Sequence, residues 1–137
     1  IRGFHRRHLL NSQIILTLIY GDARQTIKET QFEADCWFLD GFSPRKNPEL
    51  WEEPLLLQVA RRTKPGGTCS TYAAATAVGR TLERAQFYIE RREGFAKKRE
   101  LIFGRKKGIP PMAASAEKRV AIIGSGLAGA SASYALT

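Results

Sequence analysis

The sequence predicts an α/β fold: a doubly wound, largely parallel sheet closed by an antiparallel hairpin. Three observations carry this. Short β-branched or apolar runs of strand length alternate with helix-like stretches. Turn punctuation separates them, at Gly21-Asp22, Asp40-Gly41 and Lys64-Pro65-Gly66-Gly67. The last two strands of the main body are joined by only a few residues, and a parallel crossover needs roughly a dozen or more, so that pair runs antiparallel.

Taken in order, Gln13 to Tyr20 (QIILTLIY) is a buried strand, too short and too β-branched for an ordinary helix. Ala23 to Gln31 is a short helix, and Ala34 to Leu39 (ADCWFL) a second strand stopped by Asp40-Gly41. Ser43-Pro44 and Asn47-Pro48 make a loop, after which Pro48 or Glu49 opens a helix running through Trp51, Leu55, Leu56, Leu57, Val59 and Ala60. Thr68 to Ala73 is a strand, and Val78 to Ala85 a helix with Arg80 and Arg84 four apart. Phe87 to Arg91 and Lys98 to Phe103 form the hairpin around Gly94. Lys106 to Pro111 and the small residues Ala113 to Ala116 read as a linker, and Arg119 to Ile123 as the first strand of a new unit. The expected division is therefore 1–107, a linker over 108–118, and a second unit beginning at 119–137.

Composition narrows the function. With 137 residues, 43% of them hydrophobic, the chain is sized for one modest core rather than a disordered polymer. Lys and Arg number 22 against 13 Asp and Glu, and the net charge of +9 favours a polyanionic partner such as nucleic acid. Two cysteines, Cys36 and Cys69, are too few for a disulfide scaffold and suit a reducing, cytoplasmic compartment. His5 and His8 have no neighbouring cluster at ligand spacing, so no metal site is expected. The chain begins at Ile1, with Arg2, His5, Arg6 and Arg7 and no apolar signal core, and reads as a cut polypeptide. Beyond Arg119 no charge follows through Thr137, but Gly124, Ser125, Gly126, Gly129, Ser131 and Ser133 dilute the apolarity, favouring strand-turn-helix over a membrane anchor.

The sharpest local motif is VAIIGSGLAGAS. Gly124 permits a tight turn after the strand, Gly126 lets backbone approach a pyrophosphate, and Gly129 allows close helix packing. The acidic residue that would hold the ribose lies past Thr137, so this turn alone is not a complete dinucleotide site. Ligands of open α/β sheets sit at the carboxyl ends of strands, which selects Asp22 and the Asp40-Gly41-Phe42 turn. Asp22 can accept from an adenine amine, cap the following helix, or do both. Asp40, following buried WFL, is either a turn former or a carboxylate that orients an amine nucleophile. Phe42 is a base-stacking aromatic or a core plug. Arg91, Arg92, Lys97, Lys98, Arg99, Arg105, Lys106 and Lys107 are set against Glu93 and Glu100; they either track a phosphate backbone or form a solvated face.

ADCWFLDGFSPRKNPELW, then KPGGT, then GFAKKRELIFG, a linker and a glycine turn resemble, over nearly the whole chain, the bifunctional tRNA 5-methylaminomethyl-2-thiouridine biosynthesis family. WFLDGFSPRKNPELW is the specific part; KPGGT is common among methyltransferases and the glycine turn among flavoproteins. The resemblance implies a partial class I methyltransferase sheet, Rossmann-like, followed by the first strand-turn-helix of an FAD-binding Rossmann domain. It implies S-adenosylmethionine and FAD as cofactors, tRNA as partner, no membrane and no metal. The flavin half would remove a carboxymethyl group from the wobble uridine, and the other half would methylate the exposed amine. Asp40 would be the catalytic aspartate, Asp22 the adenine contact, and Gly124, Gly126 and Gly129 the FAD pyrophosphate turn. Phe42, Lys97, Lys98 and Arg99 would face the RNA. The family's first cofactor loop would precede Ile1 and most of its flavin domain would follow Thr137, making this an internal piece across the junction. A stand-alone methyltransferase, or a non-catalytic basic RNA-binding piece, are the other readings of the same residues.

Overall fold

The computed structural model describes residues 3–94, 100–109 and 119–124. In chain order the elements are β1 (Gly3–Leu9), β2 (Ile14–Tyr20), α1 (Ala23–Glu29), β3 (Ala34–Leu39), α2 (Glu53–Arg61), β4 (Thr63–Thr71), α3 (Thr76–Arg84), β5 (Phe87–Glu93), β6 (Glu100–Lys106) and β7 (Val120–Ile123). Five strands form one sheet in the order β5-β6-β4-β3-β7. β3 runs parallel to both β4 and β7, and β6 runs antiparallel to β4 and to β5. The expected α/β fold with a closing antiparallel hairpin is what forms.

The core lies between this sheet and the helices. α2 presents Leu55, Leu56, Val59 and Ala60, an i, i+1, i+4, i+5 set that lies on one helical face. These meet Trp37 and Leu39 of β3, Cys69 of β4, Phe87 of β5 and Ile102 of β6, with Val78 and Leu82 of α3 closing the cluster. Ile27 of α1 and the ring of Phe32, tilted 5.5 Å from that of Trp37, extend it.

The helix expected from Pro48 is two pieces. Pro48–Trp51 is one 3-10 turn, Glu52 is extended, and α2 starts at Glu53. Pro54 is the reason: it has no N–H to donate and its ring would strike the carbonyl of Leu50 in a continuous helix, whereas in the first turn of a new one it costs nothing. β4 likewise starts five residues earlier than the expected Thr68, taking in Lys64-Pro65-Gly66-Gly67 as a bulge. The register moves from Ala34 opposite Thr63 to Cys36 opposite Thr68. Gly66 takes a φ of +76°, which supplies the kink.

Two expectations are corrected. Gln13 to Tyr20 is a strand, but neither buried nor part of the main sheet: among the described residues β2 pairs only with β1, Gly3 opposite Tyr20 through Leu9 opposite Ile14. Ile15 and Tyr20 are more than half exposed, because a two-stranded ribbon has no second layer to bury them. β1 carries no clear strand signal in the sequence, since charged and histidine side chains in GFHRRHL obscure its pattern. Second, β7 does not open a sheet of its own. It pairs with β3, Cys36 opposite Val120 to Leu39 opposite Ile123. The Arg119 carbonyl accepts from the N–H groups of Asp35 and Cys36, and the Arg119 N–H donates to Asp35 Oδ2 at 2.9 Å. Among the described residues VAII supplies the partners of the backbone groups on that side of β3 and packs Ala121 and Ile123 against the core.

Candidate functional site at the carboxyl edge of the sheet

Because β3, β4 and β7 are parallel, their carboxyl ends share one edge of the sheet. Three turns converge there: Asp40-Gly41-Phe42 after β3, Tyr72-Ala73-Ala74 after β4, and Gly124 after β7. β3 is the first of the two βα strands and β7 lies on its other side, so the boundary between them is the place where an open α/β sheet offers a crevice.

Asp40 and Gly124 are brought together. The Asp40 N–H donates to the Ile123 carbonyl at 2.7 Å, continuing the β3–β7 ladder to the last residue. Gly124 has a φ of +113°, and a Cβ placed there would fall inside the contact radius of the Asp40 carbonyl oxygen. Glycine is therefore required twice at this position, by conformation and by approach. Gly41 is required for a different reason: a Cβ would meet Leu50 Cδ1 at 2.8 Å and the indole of Trp51 at 3.1 Å. The same indole donates Nε1–H to the Phe42 carbonyl at 2.7 Å. Trp51 is buried, so the turn after β3 is seated on a fixed ring and its Phe42 side chain is turned out, 68% exposed. Of the two readings of Phe42, the core plug is excluded.

The turn after β4 is held similarly. Ala73 N–H donates to Thr71 Oγ1 at 3.0 Å, and Arg91 of β5 reaches across to donate to the Ala74 carbonyl at 3.0 Å. Tyr72 stands at this edge, 36% exposed.

Asp22 sits elsewhere than expected, since β2 is outside the main sheet. It is the N-cap of α1, accepting from Arg24 N–H at 2.9 Å. Both of its carboxylate oxygens also accept from the Arg24 guanidinium, at 2.6 to 3.2 Å. Those side-chain bonds hold its pKa at about 2, below the ordinary 3.8. The capping reading holds, and the carboxylate is committed to Arg24. A groove lined by Arg24, Lys28, Glu52, Leu55 and Gln58 lies alongside, on the helical side.

Sequence reasoning passed over three residues. In the sequence Trp51 is only a core position, whereas its indole holds the Phe42 turn. Asp35, in mid-strand, accepts from Lys64 Nζ at 3.0 Å and from Arg119 N–H, so it clamps β3 to β4 and to the start of β7. A carboxylate inside an apolar strand was the signal, because such a group needs partners. Tyr88 carried no motif. Gly126 and Gly129 of the glycine turn, and Lys97, Lys98 and Arg99, lie outside the described residues. Among the described residues no group of three or more His, Cys, Asp or Glu side chains could hold a metal ion, and no helix is long and apolar enough to cross a membrane.

The tRNA 5-methylaminomethyl-2-thiouridine biosynthesis bifunctional protein MnmC of Aromatoleum aromaticum is 42% identical over 132 residues, covering 94% of this chain and 21% of that protein. Its namesake in Hahella chejuensis is 38% identical over 138 residues, covering 99% of this chain and 22% of that protein. The chain thus spans about a fifth of the length of the curated relatives it matches. The crystal structure of MNMC2 from Aquifex aeolicus superposes with a TM-score of 0.66 at 32% identity, over 78% of this chain and 36% of that one. Residues 1–107, which hold every element from β1 to β6, match the S-adenosyl-L-methionine-dependent methyltransferase family, and the chain belongs to that family.

Proposed function

We propose that this chain is part of an enzyme that modifies the wobble uridine of tRNA, methylating the amine of a 5-aminomethyl-2-thiouridine with S-adenosylmethionine. The observation that carries the reading is the placement of Asp40: a carboxylate on a turn fixed by Trp51, at the carboxyl edge of parallel strands, beside a glycine that leaves room only for backbone. S-adenosylmethionine, when bound, supplies an electrophilic methyl group. What the protein must add is an unprotonated amine in line with it, and Asp40 is the group to orient that amine and take its proton. Phe42, turned outward on the same turn, offers a stacking face to the base that bears the amine.

The domain organisation follows the same reading. Residues 1–107 would be the methyltransferase part, 108–118 the linker, and 119–137 the start of a flavin-binding part; Gly124, Gly126 and Gly129 would hold the FAD pyrophosphate only once β7 and Gly124 leave the β3 edge and the Asp40 carbonyl against which they lie here. The family match ending at residue 107 and relatives aligning across the junction support this. The flavin part would remove the carboxymethyl group before methylation. Asp22 contributes here through α1 and its Arg24 pair, and its adenine role is open only if that pair is exchanged. The setting would be cytoplasmic.

The test is methyl transfer from labelled S-adenosylmethionine to undermodified tRNA, in a polypeptide carrying this chain with the flanking regions its relatives have. Asp40→Ala should lower transfer by about 10²- to 10⁴-fold while leaving tRNA affinity within about twofold. Equal losses in both, or none in either, make Asp40 structural.

A further inference from the structure

The two faces of the β5–β6 hairpin use their charges differently. Cross-strand partners share a face, so Phe87, Ile89, Arg91, Ile102 and Lys106 point to the helical side, and Tyr88, Glu90, Arg92, Phe103 and Arg105 to the other. On the helical side the cations are occupied. Arg91 pairs with Glu100 at 3.0 Å, and half-buried Lys106 lies over the Phe87 ring and donates to the Ala85 carbonyl, the cap of α3, at 2.8 Å.

On the outer side the cations lie against aromatic rings. The Arg92 guanidinium lies 3.8 Å from the centre of the Phe103 ring and the Lys107 ammonium 5.0 Å from that of Tyr88. Arg105 stands directly opposite Tyr88 and makes one long bond, 3.3 Å, to the Gly66 carbonyl. Glu90, the carboxylate of this side, is taken by Arg92 at 2.7 Å. Among the described residues no carboxylate comes within ion-pair distance of Arg105 or Lys107. Tyr88 is 66% exposed, on a strand that is the edge of the sheet.

We propose that this outer face is an RNA-docking surface: Tyr88 is a stacking platform for an unpaired base, and Arg105 and Lys107 hold the phosphates on either side of it. An exposed ring flanked by uncompensated cations suits a single-stranded or looped polyanion whose repeating unit carries both a π-face and a charge. An acidic protein segment would satisfy the cations and leave the ring unused. The proposal rests on the tRNA reading above for the source of the RNA, and it names where on the fold that RNA is held.

Binding of labelled tRNA to the full chain, followed by anisotropy across a salt series, tests it. Arg105→Ala and Lys107→Ala should each reduce the slope of log K against log salt by about 0.7 to 0.9, one phosphate contact apiece. Tyr88→Ala should weaken binding by about 5- to 100-fold with the slope unchanged, and Tyr88→Phe should restore it. Tyr88 is an exposed edge residue, so its variants should keep the parent's circular dichroism spectrum. An unchanged slope in both charge variants, or Tyr88→Ala binding as well as Tyr88→Phe, overturns the proposal. The two readings fail separately. Tyr88-dependent RNA binding without methyl transfer in the longer polypeptide keeps this surface and removes the substrate assignment. Methyl transfer with binding indifferent to residues 88, 105 and 107 removes the surface.

Discussion

Among the described residues two antiparallel strand pairs are built from seven-residue strands, β1–β2 and β5–β6, and they meet opposite fates. β5–β6 joins the main sheet through β4, so Phe87 and Ile102 are covered by α3 and reach about 1% exposure or less. β1–β2 has the more apolar sequence in QIILTLIY, yet Phe4, Ile15 and Tyr20 remain over half exposed. Local apolarity makes a strand; burial needs a third strand and a covering layer. The difference also separates roles. The anchored hairpin can present a fixed charged face, whereas the free one offers apolar side chains with no cover among the described residues.

Several substitutions would break or sharpen this contrast. The largest effect should come from aromatic truncation: Phe87→Ala should cost about 3 to 5 kcal/mol in denaturant unfolding, while Phe4→Ala should stay within about 0.5 kcal/mol. If the two costs were alike, the first hairpin would be buried by something beyond the described residues. Next is Gly104, where a Cβ would meet Cys69 Sγ at 2.7 Å and Ile89 Cδ1 at 3.0 Å. Gly104→Ala should destabilise by about 1 to 3 kcal/mol, read from the same unfolding curves.

A smaller, kinetic effect concerns the two thiols. Burial pushes the Cys69 pKa up to about 12, with neighbouring Cys36 adding to the rise, so the nucleophilic thiolate is scarce at neutral pH. Cys36 is only half-buried, and alkylation followed by peptide mass analysis should find it modified at least about tenfold faster than Cys69. Equal rates would mean that the β4–β6 contact opens readily.

The smallest effect lies at the junction of β2 and α1. The Asp22 carboxyl is held at about 2 by Arg24, below its ordinary 3.8. A depressed carboxylate contributes stability above its unfolded value and loses it as pH falls through the folded one. Asp22→Asn should therefore lower the Tm at pH 5, with the difference shrinking as pH falls toward 2 and vanishing only below it. The pair is solvent-exposed, so the gap should shrink with added salt.

Much of this was legible in the chain. ADCWFL, β-branched and apolar and stopped by Asp-Gly, gave a strand with the bounds Ala34–Leu39 found in the fold. The antiparallel closing hairpin followed from connection length, and the Asp40 turn from its place after a buried strand. What escaped was set by contacts distant in sequence. That Trp51 steadies the Phe42 carbonyl, that Asp35 clamps three strands, and that Arg105 and Lys107 lie on the opposite side from Lys106 depends on sheet order and register.

Apart from β1 and the break before Glu53, the sequence by itself determined which segments are strands and helices, because periodicity, β-branching and Gly/Pro punctuation act within a few residues. Only the tertiary structure decided which strands share a sheet. An unpaired strand edge takes whatever complementary backbone reaches it, and no local signal says whether VAII will begin a sheet or lie along β3. That choice brings Gly124 against Asp40, and with it the arrangement on which the site depends.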